Sequence, residues 1–105
     1  MNDIEYDELT DSVLLAVEEA IEKLDLDLDY ENHGGLLSIT FPDHSKIIIN
    51  KQPPLHQLWV ATKFNGHHFE YRDGLWIDNR SGSEFWQLLN DAASKQAGVT
   101  VEFAH

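Results

Sequence analysis

At Leu24 the spacing of apolar residues changes from about one in 3.6 to one in two. Over residues 4–24, Leu9, Val13, Ala16, Val17, Ala20 and Leu24 fall on one side of a helical wheel. Glu8, Asp11, Glu18, Glu19 and Glu22 fall on the other, with Leu15 as the one apolar intruder. This predicts an amphipathic helix with an acidic outer face. Beyond it, Leu24, Leu26, Leu28 and Tyr30 alternate with Asp25, Asp27, Asp29 and Glu31. Alternation of this kind suits a strand with one face on a core and one in water. Aspartate is a poor strand former, so an extended loop leading into a short edge strand fits the same residues.

Short β-rich runs follow, separated by turn signals: LLSITF, KIIIN, QLWVATKF, HHFEY and LWID. Asn65-Gly66 is expected to close a two-residue hairpin, since both residue types tolerate positive φ. Segments of about ten residues joined by tight turns indicate an antiparallel meander. Ser81-Gly82-Ser83-Glu84 has capping-box spacing, with Ser81 as N-cap and Glu84 reaching back. Phe85, Leu88, Leu89, Ala92, Ala93 and Ala97 then keep helical spacing up to Gly98, a natural stop. The tail VTVEF is expected to lie back along the core. The fold class is therefore α+β: a two-layer sandwich with two helices on one face of a five- to six-stranded antiparallel sheet. With 105 residues, the chain is expected to form a single domain spanning 1–105.

The formal charge of −12 is unevenly placed. Residues 1–31 carry 12 acids and one base, whereas residues 32–105 carry 7 acids and 6 bases. Such a surface disfavours nucleic acid and anionic lipid, both bound chiefly through Lys and Arg, and favours hard cations and basic protein surfaces. The chain has no cysteine, which excludes disulfides, thiolate nucleophiles and cysteine-ligated zinc or iron–sulfur clusters within it. MNDIEYDELTDSV has neither the basic region and apolar run of a signal peptide nor an organellar presequence bias, so a bacterial cytoplasmic location, or a mature form already trimmed, is expected.

Asp25-x-Asp27-x-Asp29 resembles the start of a calcium-binding EF-hand loop, but Tyr30 and Leu36 stand where that loop needs Gly and Glu. Carboxylates at helical spacing, Glu18, Glu22 and Asp25, offer a better chance of sharing one ion. All-oxygen ligation suits iron, manganese, calcium or magnesium, and an open surface should bind them weakly, at micromolar affinity at best. A solvated face kept for solubility explains the same residues, against an accumulated cost of about 0.2–0.5 kcal/mol per like-charge pair. His33, His44, His56, His67, His68 and His105 show no zinc spacing. They are expected at the surface, and adjacent His67 and His68 should point to opposite faces of a strand. No catalytic signature is recognisable, and a binding or regulatory protein rather than an enzyme is expected.

In Gln57-Leu58-Trp59-Val60-Ala61, alternation puts Gln57, Trp59 and Ala61 on one face and Leu58 and Val60 on the other. If the helices cover the Leu58 face, Trp59 stands on the open face as a protein-contact anchor. The inverted register would make it a core residue. Trp76 and Trp86 read as packing residues.

INKQPPLHQLWVATKFNGHHFEY and LWIDNRSGSEFWQLL carry a resemblance to the frataxin family that spans the whole chain. It is densest from Asn50 to Trp59 and extends through Trp76, Gly82 and Leu89. The resemblance implies a small α/β sandwich that binds iron, ferrous or ferric, weakly through an acidic ridge. Other divalent cations would substitute, and ridge positions carried over are Glu18, Glu19, Glu22, Asp25, Asp27, Asp29 and Glu31. It implies a role in iron–sulfur cluster assembly through the cysteine desulfurase and scaffold protein, regulating the desulfurase and donating iron. Asn50, Gln52, Gln57 and Trp59 match the family's sheet contact surface, and a mainly monomeric protein with iron-driven oligomers is expected. Lys23 interrupts the ridge, the Leu-Asp repeat makes a short apolar passage into the strand, and His68 stands where some relatives place arginine. A purely protein-binding acidic module is the rival reading, and an iron-oxidising enzyme the weakest.

Overall fold

The computed structural model describes residues 1–103; His105 lies outside them. Helix α1 (Asp3–Lys23) opens under Asn2, whose side chain accepts the Glu5 amide at 2.8 Å. Six strands follow: β1 (Asp29–His33), β2 (Leu36–Thr40), β3 (Lys46–Gln52), β4 (Gln57–Ala61), β5 (Gly66–Arg72) and β6 (Leu75–Asp78). A 3-10 turn, Pro53–Leu55, separates β3 from β4, and α2 (Phe85–Ala97) closes the fold. Each strand pairs antiparallel with the next, in the order β1-β2-β3-β4-β5-β6. Both helices lie on one face of this meander, which makes the α+β two-layer sandwich expected from the pattern.

Alternation along the strands sends Leu37, Ile39, Ile47, Ile49, Leu58, Val60 and Phe69 inward, all at most 2% exposed. They meet Leu14, Val17 and Ile21 of α1 and Phe85, Leu89 and Ala93 of α2. Phe69 and Phe85 pack edge to face with centroids 5.5 Å apart. Each such side chain stabilises the fold by about 1.5–3 kcal/mol relative to exposure, enough for the sheet face to fix where both helices sit. Trp76 is buried and Trp86 half-buried against the core, so both are packing residues as expected. The tail returns along α2: Val101 N–H donates to Ser94 Oγ at 2.8 Å, Phe103 N–H to Asn90 Oδ1 at 2.8 Å, and both apolar side chains are buried.

Three local expectations are corrected and one open alternative is decided. The buried face of α1 is Tyr6, Thr10, Leu14, Val17, Ala20 and Ile21, while Leu9, Val13, Ala16 and Leu24 are only half-buried. The helix is rolled toward Tyr6 and Thr10, whose polar atoms find partners inside: Tyr6 Oη at Gln57 O, and Thr10 Oγ1 at Tyr6 O. The segment after α1 is a loop up to Asp29, because Leu24 turns extended at φ −78°, ψ 136°; Leu26 and Leu28 still pack on the core. This is the loop-into-edge-strand alternative. Asn65-Gly66 forms no two-residue hairpin: Ala61 pairs with Gly66 across a four-residue loop. There Thr62 Oγ1 accepts the Phe64 and Asn65 amides, and Lys63 N–H donates to Gln96 Oε1 at 2.9 Å. Finally, Glu84 rather than Ser81 caps α2, accepting the Trp86 and Gln87 amides at 2.9 and 3.1 Å. Ser81 is drawn to Asp78 instead, at 2.7 Å. Gly98 ends α2 in the left-handed region at φ 74°, as its position implied.

Candidate metal edge and partner-contact surface

The acidic residues border the edge where α1 passes β1. Strand alternation turns Tyr30 and Asn32 toward the helix, where the Tyr30 hydroxyl donates to the Glu22 carboxylate and Asn32 Nδ2 donates to Glu18 Oε2 at 2.6 Å. Glu22 pushes the Tyr30 hydroxyl up to about 12, first by accepting its hydrogen bond. Asp29 and Glu31 face the other way, lining with Ser38, Thr40 and Lys46 a shallow depression of about 380 Å³. Glu31 lies 3.3 Å from the His33 ring. Glu19, Asp25 and Asp27 are exposed.

The seven expected ridge acids thus share an edge without converging. The expectation that Glu18, Glu22 and Asp25 occupy neighbouring helical turns is corrected, because α1 ends at Lys23 and leaves Asp25 in the loop. Among the described residues, no group of three or more His, Asp or Glu gathers in metal-holding geometry. The edge carboxylates do not converge, and two of them are already engaged by Tyr30 and Asn32, a geometry suited to no more than weak, exchangeable contact with a hard cation.

Two contacts of the α1 acids away from β1 were not read from the sequence. Lys51, its side chain only 15% exposed, bonds the Asp11 carboxylate and lies 3.9 Å from Asp7. The signal was available, because Lys51 continues the inward phase of Ile47 and Ile49 on β3. His56 meets Asp3 at 2.7 Å.

The open face of the sheet is ordered differently. Leu58 and Val60 are buried and Trp59 is half-buried on the side away from the helices, the register expected. Asn50 lies opposite Trp59, and Gln52 opposite Gln57, so the four expected contact residues come together; Asn50, Gln52 and Trp59 are half-buried, while Gln57 is itself buried. The indole stacks on His68 with centroids 4.2 Å apart and planes at 10°. Its Nε1–H donates to Gln57 Oε1 at 2.7 Å, and Gln57 Nε2 donates to Glu70 Oε2 at 3.0 Å. Arg72, first, and then Asn79 and Gln57 hold the Glu70 carboxyl below its ordinary range despite some desolvation. Leu36, Ile48, Asn50, Trp59, Ala61 and His68 line a cavity of about 240 Å³ here. Such a fixed aromatic beside an apolar hollow, rimmed by amides, suits protein contact.

His67 does point to the opposite face from His68, yet it is not the surface histidine expected. Its side chain is 18% exposed and Nδ1 lies 2.9 Å from Asp78 Oδ2. Burial pushes the Asp78 carboxyl up, but hydrogen bonds from Ser81, His67 and the Arg80 amide outweigh it and hold it at about 2. The pairing escaped sequence reading because His67 and Asp78 meet only once β5 pairs with β6.

Residues 1–99 match the frataxin-like domain. The chain belongs to the frataxin family. Among its bacterial members, the iron–sulfur cluster assembly protein CyaY of Pseudoalteromonas atlantica is 62% identical over 103 residues, covering 98% of this chain and 95% of that protein. The structure of frataxin from Psychromonas ingrahamii superposes with a TM-score of 0.92 at 48% identity, covering 100% of both chains. Trimeric frataxin from the yeast Saccharomyces cerevisiae, solved in complex with ferrous iron, gives a TM-score of 0.70 at 29% identity over 90% of this chain and 86% of that one. This frataxin groups with the bacterial CyaY proteins, and among its described residues no helix is long and apolar enough to cross a membrane.

Proposed function

We propose that this frataxin serves iron–sulfur cluster assembly in the bacterial cytoplasm as a monomeric, iron-binding regulator of the cysteine desulfurase and scaffold complex, with iron donation as its second role. The observation that carries the reading is one fold presenting two unlike surfaces side by side, an acidic edge and an ordered Trp59 face. Support comes from the 62% identical relative named an iron–sulfur cluster assembly protein, and from the yeast frataxin complexed with ferrous iron.

In this reading iron is cargo. Glu18, Glu19, Glu22, Asp25, Asp27, Asp29 and Glu31 raise its local concentration and exchange it readily, and other divalent cations substitute. The same field steers a basic patch of the desulfurase into contact, over a Debye length of about 8 Å at physiological salt. Asn50, Gln52 and Trp59 then supply the short-range anchor, with buried Gln57 holding the indole in place. Iron acting at the edge tunes the desulfurase, and the protein carries out no turnover of its own.

The absence of a three-acid cluster among the described residues favours one rival: an acidic docking module whose metal affinity is incidental. Calorimetry of binding to the purified desulfurase–scaffold complex, with and without ferrous iron, separates the two. Glu18→Lys with Glu22→Lys should weaken binding in both readings. Iron should change the wild-type affinity or the desulfurase rate only in the first; an iron-independent response would leave the docking module.

A further inference from the structure

Tyr6 lies in the first two turns of α1 and is 1% exposed, yet its hydroxyl reaches two of the contact residues, at both ends of the turn between β3 and β4. It donates to the Gln57 carbonyl at 2.5 Å and accepts the Gln52 amide at 2.9 Å. Those two residues face each other where the β3–β4 ladder meets the Pro53–Leu55 turn, whose prolines carry no amide to donate to the ladder. The Tyr6 ring stacks on His56, centroids 5.0 Å apart, which sits left-handed at φ 52° and bonds Asp3. The edge of Trp76 closes the other side at 6.3 Å. Burial pushes the Tyr6 hydroxyl up, against the pull of the Gln52 amide, so it keeps the proton it gives to Gln57.

The consequence reaches the open face through one residue. Gln57, whose backbone Tyr6 grips, is also the seat of the Trp59 indole, through Oε1 at 2.7 Å. We propose that Tyr6 is a positioning residue of the partner-contact surface: buried beneath it and touching no partner, it sets Gln52, Gln57 and, through Gln57, the Trp59 ring from helix α1. This rests on the reading that the open face binds the assembly complex.

The test uses the full-length chain with Tyr6→Phe, which keeps the ring and removes only the hydroxyl. Loss of one buried hydrogen-bond pair should weaken binding to the desulfurase–scaffold complex about 3- to 10-fold. Positioning predicts coupling: in a Trp59→Ala background the further loss should fall below about 2-fold, while in a Glu19→Gln background the full factor persists. Faster amide exchange at Gln52 and a moved Trp59 indole N–H signal should accompany it. Unchanged affinity, or equal factors in both backgrounds, would overturn the proposal. Should Tyr6→Phe fold poorly, His56→Asn removes the stacked ring while tolerating the left-handed backbone, and should move the same signals in the same direction. Should the wild-type protein fail to bind the complex, the proposed function fails, and an unmoved Trp59 indole signal in Tyr6→Phe would separately end the positioning claim.

Discussion

The α1–β1 edge and the β4–β6 half of the sheet both carry acids, and they use them differently. At the edge most carboxylates stand in solvent, and the few contacts they make, Glu22 with Tyr30, Glu18 with Asn32 and Glu31 with His33, are single ones between side chains. In the other half the two strand acids, Glu70 and Asp78, are spoken for, while Asp73 in the turn between β5 and β6 stands exposed. Glu70 collects Arg72, Gln57 and Asn79, and buried Asp78 collects His67, Ser81 and the Arg80 amide. Acids held this way are part of the fold, while acids left loose remain available to an ion or a basic partner.

The contrast is broken most easily at Trp59. Trp59→Ala should cost partner affinity about 2 kcal/mol or more, roughly 30-fold, because it removes the fixed aromatic and the seat for His68 together. Calorimetry against the desulfurase–scaffold complex reads this, and a loss under 3-fold would remove the open face from the interface.

Asp78 comes next. Its carboxyl is held at about 2, below the value of an unfolded chain, so its contribution is fully present above about pH 4 and is lost as pH falls toward 2. Asp78→Asn should destabilise the protein by about 2 kcal/mol at neutral pH, measured by urea unfolding, and should flatten the acid limb of stability between pH 4 and 2. An unchanged acid limb would show that the His67–Asp78 pair does not hold the corner.

At the edge the effects should be small. Tyr30→Phe is expected to move the melting temperature by under about 2 °C, since an exposed hydrogen bond is readily replaced by water. Smallest of all, raising salt to about 0.3 M should lift the melting temperature by a degree or two through screening of the edge acids, and a millimolar divalent cation should do the same by binding. A flat response to both would mean that the acids neither repel measurably nor hold ions.

Much of this was legible in advance where local pattern and final environment agree. The meander, the inward phase of Leu58 and Val60, the outward Trp59 and the stop at Gly98 all follow from alternation and glycine chemistry. The misreadings arise where a side chain outside the expected local motif captures one of its groups, sometimes from far along the chain and sometimes from a few residues away. Tyr6 rolled the helix because its hydroxyl pairs with residues at the β3–β4 turn. Ser81 left the capping role because Asp78 took its hydroxyl, and Asn65-Gly66 lost its tight turn to the Thr62 side chain and to Gln96 on α2. The ridge was legible as composition but not as geometry: seven carboxylates in one stretch say nothing of the alternation that points Asp29 and Glu31 away from Glu18 and Glu22.

The contrast between loose and held acids is tested most directly by following amide NMR signals during an anaerobic titration with ferrous iron and, separately, cobalt. Signal losses confined to residues 18–31, with Glu70 and Asp78 and their partners unaffected, are the predicted result. Losses spread across the β4–β6 half, or none at the edge, would contradict it and leave the acidic edge as a docking surface for protein alone.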